Sequence, residues 1–252
     1  MLHDGHRERL RNRYRREGLS GFAPHEILEL LLTFAIPRID TNPLAHELLN
    51  RFGSLPKVLE ATPEELEQVP GIGPQAATLL TMIMPLFRAY EQEKFAPGVR
   101  LNTYAELSAY CRSLFLGVRN EQMYLLCFDA KLKLLAATLI AQGTPAEVSV
   151  LPRQIMQELM RHNAVGAVIT HNHPSGSPKP SQEDMDLTEA IQQMLGSVGI
   201  RLYDHVIIAG NVNYSFAANR MLGAEQDEED AFDLAADRPQ HRLPARRKGE
   251  GR

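Results

Sequence analysis

Cysteine is scarce in this chain, which limits the kinds of site that the chain can build. The 252 residues include two cysteines, Cys111 and Cys127. Two isolated cysteines cannot form a four-thiolate zinc site or a disulfide framework. Such sparse cysteine use is typical of a protein from a reducing compartment.

Long hydrophobic runs and an excess of basic residues are absent as well. The longest apolar stretches, residues 27–35 and 132–141, are much shorter than the roughly 20 residues of a membrane-spanning helix. The N-terminus is charged and lacks the apolar core of a secretory signal. We therefore expect a cytoplasmic protein without a membrane partner. The net charge of −4 excludes a uniformly basic nucleic-acid coat protein, so any DNA contact requires a local basic patch.

The chain divides into regions of different composition and periodicity. Apolar residues at helical spacing predict an all-helical domain over residues 1–92. Residues 93–103 lack this periodicity and contain Pro97 and Gly98, which indicates a linker. Over residues 104–222, predicted helices alternate with strand-like runs, which favours an α/β domain. Residues 223–252 hold an acidic block and then a basic block, which predicts a disordered tail, either solvated or acting as a binding arm.

Several elements have recognisable start and stop signals. Pro24 and Asn42-Pro43 each begin a predicted helix, and Gly53 is expected to end the second one. Thr62 opens a capping box. Pro85 lies inside a predicted helix that it should kink or end. Strands are expected at residues 123–129, 133–141, 165–171, 200–210 and 212–216.

The most informative segment is residues 170–184, THNHPSGSPKPSQED. His171 and His173 follow an apolar strand at period two, so their side chains should point to the same side. Prolines and glycine then enforce a loop that can bring Asp184 back as a third ligand. Two nitrogens and one carboxylate leave one zinc position open, which is typical of a catalytic site. The segment from Ser181 to Asp184 is also a good helix N-cap, which is its structural interpretation.

This spacing, His-x-His, seven residues, and then Ser-x-x-Asp, resembles the JAMM (MPN+) motif of zinc-dependent isopeptidases and metalloproteases. The HNHPSG form resembles the RadC-like proteins of bacteria, long described as DNA repair proteins. The resemblance implies a JAMM/MPN-like, cytidine-deaminase-like α/β domain with one zinc per chain and a peptide or protein substrate. It also implies that His171, His173 and Asp184 ligate zinc, and that Ser181 hydrogen-bonds the bound water or the developing oxyanion.

One feature of the JAMM pattern has no obvious counterpart here. The resemblance implies a general-base glutamate on the strand before Gly143-Thr144, and without gaps Thr138 falls at its place. Glu147 in the following loop is the nearest acidic candidate for the base, although it can equally be a solvated carboxylate. Glu121 lies farther back, at the start of the preceding strand. A slow hydrolase, recruitment of Glu147 and a metal-binding pseudoenzyme therefore all remain open.

Asp204 and His205 form a second polar pair on an otherwise apolar strand. They either support a zinc ligand from behind or form a satisfied structural pair within the sheet, and the residues favour the structural interpretation.

The segment around Gly71-Ile72-Gly73 resembles a helix-hairpin-helix motif. Two glycines allow close approach of a phosphodiester backbone, and the N–H groups of the next helix can face phosphate oxygens. However, no basic residue follows Gly73 until Arg88, and the positive charge of this region is concentrated between Arg7 and Arg16. The hairpin is therefore either a DNA contact or a packing element.

Two classes of function follow. The first is a JAMM-type zinc hydrolase, and the second is a DNA-associated protein whose metal domain is not catalytic. A zinc deaminase is disfavoured because the P-C-x-x-C motif that this chemistry requires downstream of H-x-E is absent.

Overall fold

Two groups of elements follow one another along the computed structural model, which describes residues 4–95, 98–143, 152–218 and 220–222. The first group is helical: α1 (Asp4–Glu17), α2 (Pro24–Ala35), α3 (Asn42–Phe52), α4 (Leu55–Leu59), α5 (Pro63–Glu67) and α6 (Pro74–Glu93). The second group is mixed: α7 (Tyr104–Leu114), β1 (Glu121–Phe128), β2 (Leu134–Gly143), α8 (Pro152–Arg161), β3 (Gly166–Asn172), α9 (Gln182–Ser197), β4 (Arg201–Ala209), β5 (Val212–Ser215) and β6 (Arg220–Leu222). The predicted tail, residues 223–252, lies outside the described residues.

The capping residues of the helical region begin and end their helices as predicted. Gly53 ends α3 in the left-handed conformation, with a φ of +85°. Thr62 caps α5, and the side chain of Glu65 accepts a hydrogen bond from the backbone N–H of Thr62 at 2.8 Å. Pro85 does not end its helix, because α6 continues through it to Glu93. The side chains of Leu28, Leu48, Leu66, Val69 and Leu80 are buried together at the centre of these helices.

A mixed sheet with the strand order β2-β1-β3-β4-β5-β6 forms the second region. Strands β3 and β4 are parallel, while β1 runs antiparallel to both β2 and β3. Every residue of β3 is buried, as expected for a continuous apolar strand at the centre of a sheet. The parallel pair places the end of β3 beside the second half of β4.

Helices cover both faces of the sheet. Leu107 and Cys111 of α7 pack with Val168 on one face. Ile155 of α8 and Ile191 of α9 share the core on the other face, whose strand residues include Leu125 and Ile169. The alternation of side chains along a strand explains why neighbouring residues of β3 belong to different cores. Within the described residues, no helix is long and apolar enough to cross a membrane.

The two regions touch at the predicted linker and near the end of α6. Arg100 of the linker forms a β-bridge with Lys133, so this part of the linker already pairs with the sheet region. The guanidinium of Arg88 on α6 donates a hydrogen bond to the carbonyl of Leu116 at 2.8 Å.

Candidate metal centre

The end of β3 presents two imidazoles to the same side of the sheet. His171 is the next-to-last residue of β3 and is fully buried, while His173 follows the strand and is only partly buried. Their Nε2 atoms lie 2.9 Å apart. The period-two prediction of a shared side is therefore confirmed for this pair.

The first turn of α9 brings a carboxylate to these imidazoles. Asp184 is buried, with Oδ1 3.1 Å from His171 Nε2 and Oδ2 3.5 Å from His173 Nε2. Although burial favours the protonated carboxyl, the two neighbouring histidines and the backbone N–H of Ser181 hold the pKa of Asp184 well below its usual range. The carboxylate is therefore ionised at neutral pH.

Ser181 connects the helix start to this carboxylate. Its backbone N–H and its hydroxyl donate to Asp184 Oδ2 at 2.8 and 2.7 Å, and its Oγ accepts from the Asp184 N–H at 3.1 Å. The Ser-x-x-Asp segment is thus a helix cap and part of the cluster at once, because the cap orients the carboxylate. The Ser181 hydroxyl points to Asp184, so its expected role towards a reacting group stays a prediction.

Hydrogen-bond partners determine which ring nitrogen of His173 carries the proton. Its Nδ1 lies 2.8 Å from the carbonyl oxygen of Ser177, and a carbonyl can only accept. His173 therefore donates from Nδ1 and directs the lone pair of Nε2 into the cluster. This is the tautomer that a metal ligand needs.

A longer chain of hydrogen bonds determines the tautomer of His171. The Thr188 hydroxyl donates to the backbone carbonyl of Asp184 at 2.5 Å, so Thr188 accepts from Nδ1 of His205 at 2.6 Å. His205 then accepts at Nε2 from Nδ1 of His171, at 2.8 Å. The result again leaves Nε2 of His171 with a free lone pair. Burial lowers the pKa of the His205 imidazole well below its ordinary value, which is consistent with a neutral ring in this series of hydrogen bonds.

Asp204 and His205, the polar pair on β4, make contacts in different places. His205 contacts the site through His171, which supports the functional interpretation for this residue. Asp204 instead accepts hydrogen bonds from Ser215 Oγ at 2.6 Å and from the Ala217 N–H at 2.9 Å, at the turn after β5. Since neighbouring residues of a strand face opposite sides, only one of the two can reach the site.

The three donor atoms fit a tetrahedral divalent metal. Zinc bonds to nitrogen and oxygen are about 2.0–2.2 Å long, which places neighbouring ligand atoms about 3.3 Å apart. The observed separations among His171 Nε2, His173 Nε2 and the Asp184 oxygens are 2.9, 3.1 and 3.5 Å. Two imidazole lone pairs and an ionised carboxylate repel one another at such distances, and a cation between them removes the repulsion. The donor set is thus of the borderline-soft type that zinc prefers.

Glu121, which the sequence analysis named only as the more distant acidic residue, is a fourth member of the cluster. One carboxylate oxygen and the ligand nitrogens of His171 and His173 all lie within 4.8 Å of one another. No hydrogen bond to this carboxylate comes from any described residue, in contrast to Asp184. Burial raises the pKa of the Glu121 carboxyl, against the opposing effect of the two histidines. Asp184 is therefore held in place by Ser181, whereas no described residue holds the Glu121 carboxylate by a hydrogen bond.

The strand pairing explains why Glu121 reaches the histidines. Met123 of β1 pairs with His171, so the antiparallel register places Glu121 at the level of His173 and on the same face. Thr138, which falls at the expected place of the general base, lies in β2 opposite Leu125. Along β1, Leu125 is two residues beyond Met123 and four beyond Glu121, away from the two histidines. The Thr138 hydroxyl donates to Glu158 at 3.3 Å, and its position therefore does not supply the base. Glu147 lies outside the described residues.

The glycine hairpin has a conformation suited to a tight turn. Gly71 has a φ of +93°, and a Cβ there would come within 2.8 Å of Leu44. Gly73 is the N-cap residue of α6, and a Cβ there would meet no atom within 4 Å. Gly71 is therefore required by the turn itself, while the exposed Gly73 leaves open space in front of the α6 N-terminus.

Two of the arginines of α1 form hydrogen bonds and an ion pair with α2 inside the helical region. Arg11 donates to the carbonyl oxygen of Thr33 at 3.0 Å, and Arg13 pairs with Glu26 at 2.7 Å. These contacts attach α1 to both ends of α2 and leave fewer free positive charges than the sequence suggests.

Comparison with known proteins agrees with this geometry. A family model of the RadC-like JAB domain matches residues 101–221, which include the sheet and the whole described metal centre. A UPF0758 protein of Ruegeria pomeroyi is 35% identical over 217 residues, covering 86% of this chain and 97% of the relative. JAB domains have a fold of the metal-dependent hydrolase type. The chain belongs to the RadC-like JAB family.

Proposed function

We propose that this chain is a zinc-dependent hydrolase that cleaves an amide bond in a peptide or isopeptide-like substrate. The observation that supports this proposal is the carboxylate of Glu121, which lies within 4.8 Å of the ligand nitrogens of His171 and His173 and accepts no hydrogen bond from the described residues. The ligands would be His171, His173 and Asp184, with one zinc per chain.

Bound zinc would polarise the scissile carbonyl and lower the pKa of a water molecule at its open position. Glu121 accepts the proton of the attacking water and later delivers it to the departing amine nitrogen. Burial raises the pKa of the Glu121 carboxyl, which strengthens it as a base for the proton of the attacking water. His205 and Ser177 hold the two imidazoles in their ligating tautomers, and Ser181 holds Asp184.

Glu121→Gln tests the proposal directly. The probes are an internally quenched peptide library and a library of ε-lysyl isopeptides, used with zinc-loaded protein. We expect a loss of about 10²–10⁴-fold in turnover with unchanged zinc content. Glu147→Gln is the matched control, because Glu147 is the competing candidate for the base, and it should keep its activity.

Three outcomes oppose this assignment. Loss of activity in Glu147→Gln but not in Glu121→Gln would transfer the role of base to Glu147. No zinc in the wild type under metal-replete conditions, with His173→Ala as the reference, would refute the metal centre. No cleavage by zinc-loaded wild type with either library would leave the non-catalytic alternative.

That alternative is a DNA-associated protein, favoured by the open space in front of Gly73 at the α6 N-terminus. Its electrostatics are unfavourable, since the preceding helix α5 carries Glu64 and Glu67 on its exposed surface. Fluorescence anisotropy with a labelled duplex at low and moderate salt tests it. Salt-sensitive binding that Gly73→Asp abolishes would support this function.

A further inference from the structure

The residue between the two histidines makes contacts of its own. Asn172 is buried, and its carboxamide reaches across to the beginning of β1. Its Oδ1 accepts from the backbone N–H of Gln122 at 2.8 Å, and its Nδ2 donates to the backbone carbonyl of Asn120 at 3.0 Å. The two hydrogen bonds thus hold the backbone immediately before and after Glu121.

These bonds begin where the ladder between β1 and β3 stops. The last described pair of the ladder is Met123 with His171. Beyond it the chain turns towards β4, since the backbone N–H of His173 donates to the carbonyl of Ile208 at 2.8 Å. The side chain of Asn172 therefore replaces the backbone pairing that would otherwise hold Glu121 beside β3.

An asparagine is well suited to this position. A carboxamide offers a donating NH2 group and an accepting oxygen in one plane, which matches the carbonyl and the N–H that it binds. Aspartate lacks the donor, and alanine leaves both backbone groups without their partner. Because the contact is partly buried, the Gln122 N–H and the Asn120 carbonyl would depend on water as their replacement partner.

We propose that Asn172 is a positioning residue that keeps the Glu121 carboxylate at the two histidines. This proposal rests on the proposed function to the extent that Glu121 is the base. The ligands themselves are independent of the contact, since His205, Ser177 and Ser181 orient them. Asn172 therefore controls where the carboxylate lies and leaves the metal affinity alone.

The first test needs no substrate. Hydrogen–deuterium exchange of the β1 N-terminus and zinc affinity by chelator competition are measured for wild type, Asn172→Ala and Asn213→Ala. Asn213 is the matched control, because it is a fully buried asparagine of β5 whose amide donates to Tyr104 and Ser108, on α7. We expect faster exchange at Gln122 in Asn172→Ala alone, with zinc affinity within about twofold of wild type. Unchanged exchange at Gln122 in Asn172→Ala would overturn the proposal, whether or not the protein is an enzyme.

The second test applies to an active wild type. Asn172→Ala should lower kcat by about 10–100-fold with little change in KM, as expected when a catalytic group is displaced by about 1 Å. In the Glu121→Gln background the same substitution should cost almost nothing further, since the group that it positions is already gone. Equal losses in both backgrounds would show a general structural role and contradict the proposal. If the wild type is inactive but exchange at Gln122 rises in Asn172→Ala as expected, the proposed hydrolase is refuted. The role of Asn172 in holding the β1 backbone is then still supported.

Discussion

Thr188 and His205 are joined by a hydrogen bond of 2.6 Å between Oγ1 and Nδ1, which links helix α9 to strand β4 behind the metal centre. The same hydroxyl donates to the backbone carbonyl of Asp184. One threonine therefore stabilises the ligating tautomer of His171 and the turn of helix that carries Asp184.

The first prediction concerns this threonine. Thr188→Val keeps the shape of the side chain but removes the acceptor for His205, so we expect zinc affinity to fall by about 10–100-fold. Chelator competition measures the change. Thr81→Val is the control, because Thr81 also donates to the carbonyl four residues earlier in its helix, at 2.9 Å, but lies on α6. Equal affinities for the two variants would contradict the role of Thr188.

The second prediction is a pH dependence of stability that originates at Asp204. Burial raises the pKa of this carboxyl from 3.8 to about 6. The folded state therefore binds the proton more tightly than the unfolded state, and stability from this group is lost as pH rises from about 4 to about 6. The unfolding free energy of wild type relative to Asp204→Asn should fall by roughly 3 kcal/mol at most over this range.

Urea denaturation of both proteins at pH 4, 5, 6 and 7 measures that difference. Because the asparagine keeps an acceptor for the backbone N–H groups, the comparison isolates the titration. A difference that rises with pH would mean that Asp204 is stabilised as an anion in the folded state.

The third prediction concerns the thiols. Cys111 and Cys127 are both fully buried, and burial raises the pKa of each to about 12. Since the thiolate is the reactive form, native protein at pH 8 should react negligibly with a disulfide reagent, and two thiols should appear in denaturant. Rapid reaction of one thiol in native protein would contradict this expectation.

The fourth prediction separates the two glycines of the hairpin. Gly71→Ala should cost about 1–2 kcal/mol of unfolding free energy, because of its positive φ and the close approach of Leu44. Gly73→Ala should cost only about 0.5 kcal/mol, as a weaker N-cap in open space. Thermal and urea denaturation compare the two. If Gly73→Ala were the more damaging variant, the assignment of Gly71 as the structural glycine would be wrong.

Parts of the site that depend on local sequence could be predicted. The side-chain alternation that places His171 and His173 together, and the cap that begins α9 at Ser181, are both short-range patterns. Glu121 was not singled out because it reaches the site only through the register between β1 and β3, and a single sequence does not specify this register. The prediction that Thr138 occupies the position of the general base was wrong for the same reason. Counting residues without the strand pairing placed Thr138 at the wrong level of the sheet.

The distinction between Asp204 and His205 also depended on tertiary structure. Their sequence positions show that they face opposite sides, but not which side holds the metal centre. The parallel pairing of β3 with β4, in which Ile169 lies opposite His205, provides that information. The arginines of α1 give a similar lesson, because composition counts positive charges but does not reveal that Arg11 and Arg13 are engaged with α2.

The placement of Glu121 on β1, apart from the ligands on β3 and α9, has a consequence for how such proteins are assayed. In the proposed hydrolase, the parts that hold the ion and the part that moves the proton belong to different segments of the chain and can be lost independently. A relative with an intact His-x-His and Ser-x-x-Asp pattern but a displaced β1 would still copurify with its ion. Metal content therefore reports the ligands, whereas hydrogen exchange and turnover report the geometry of the first strand.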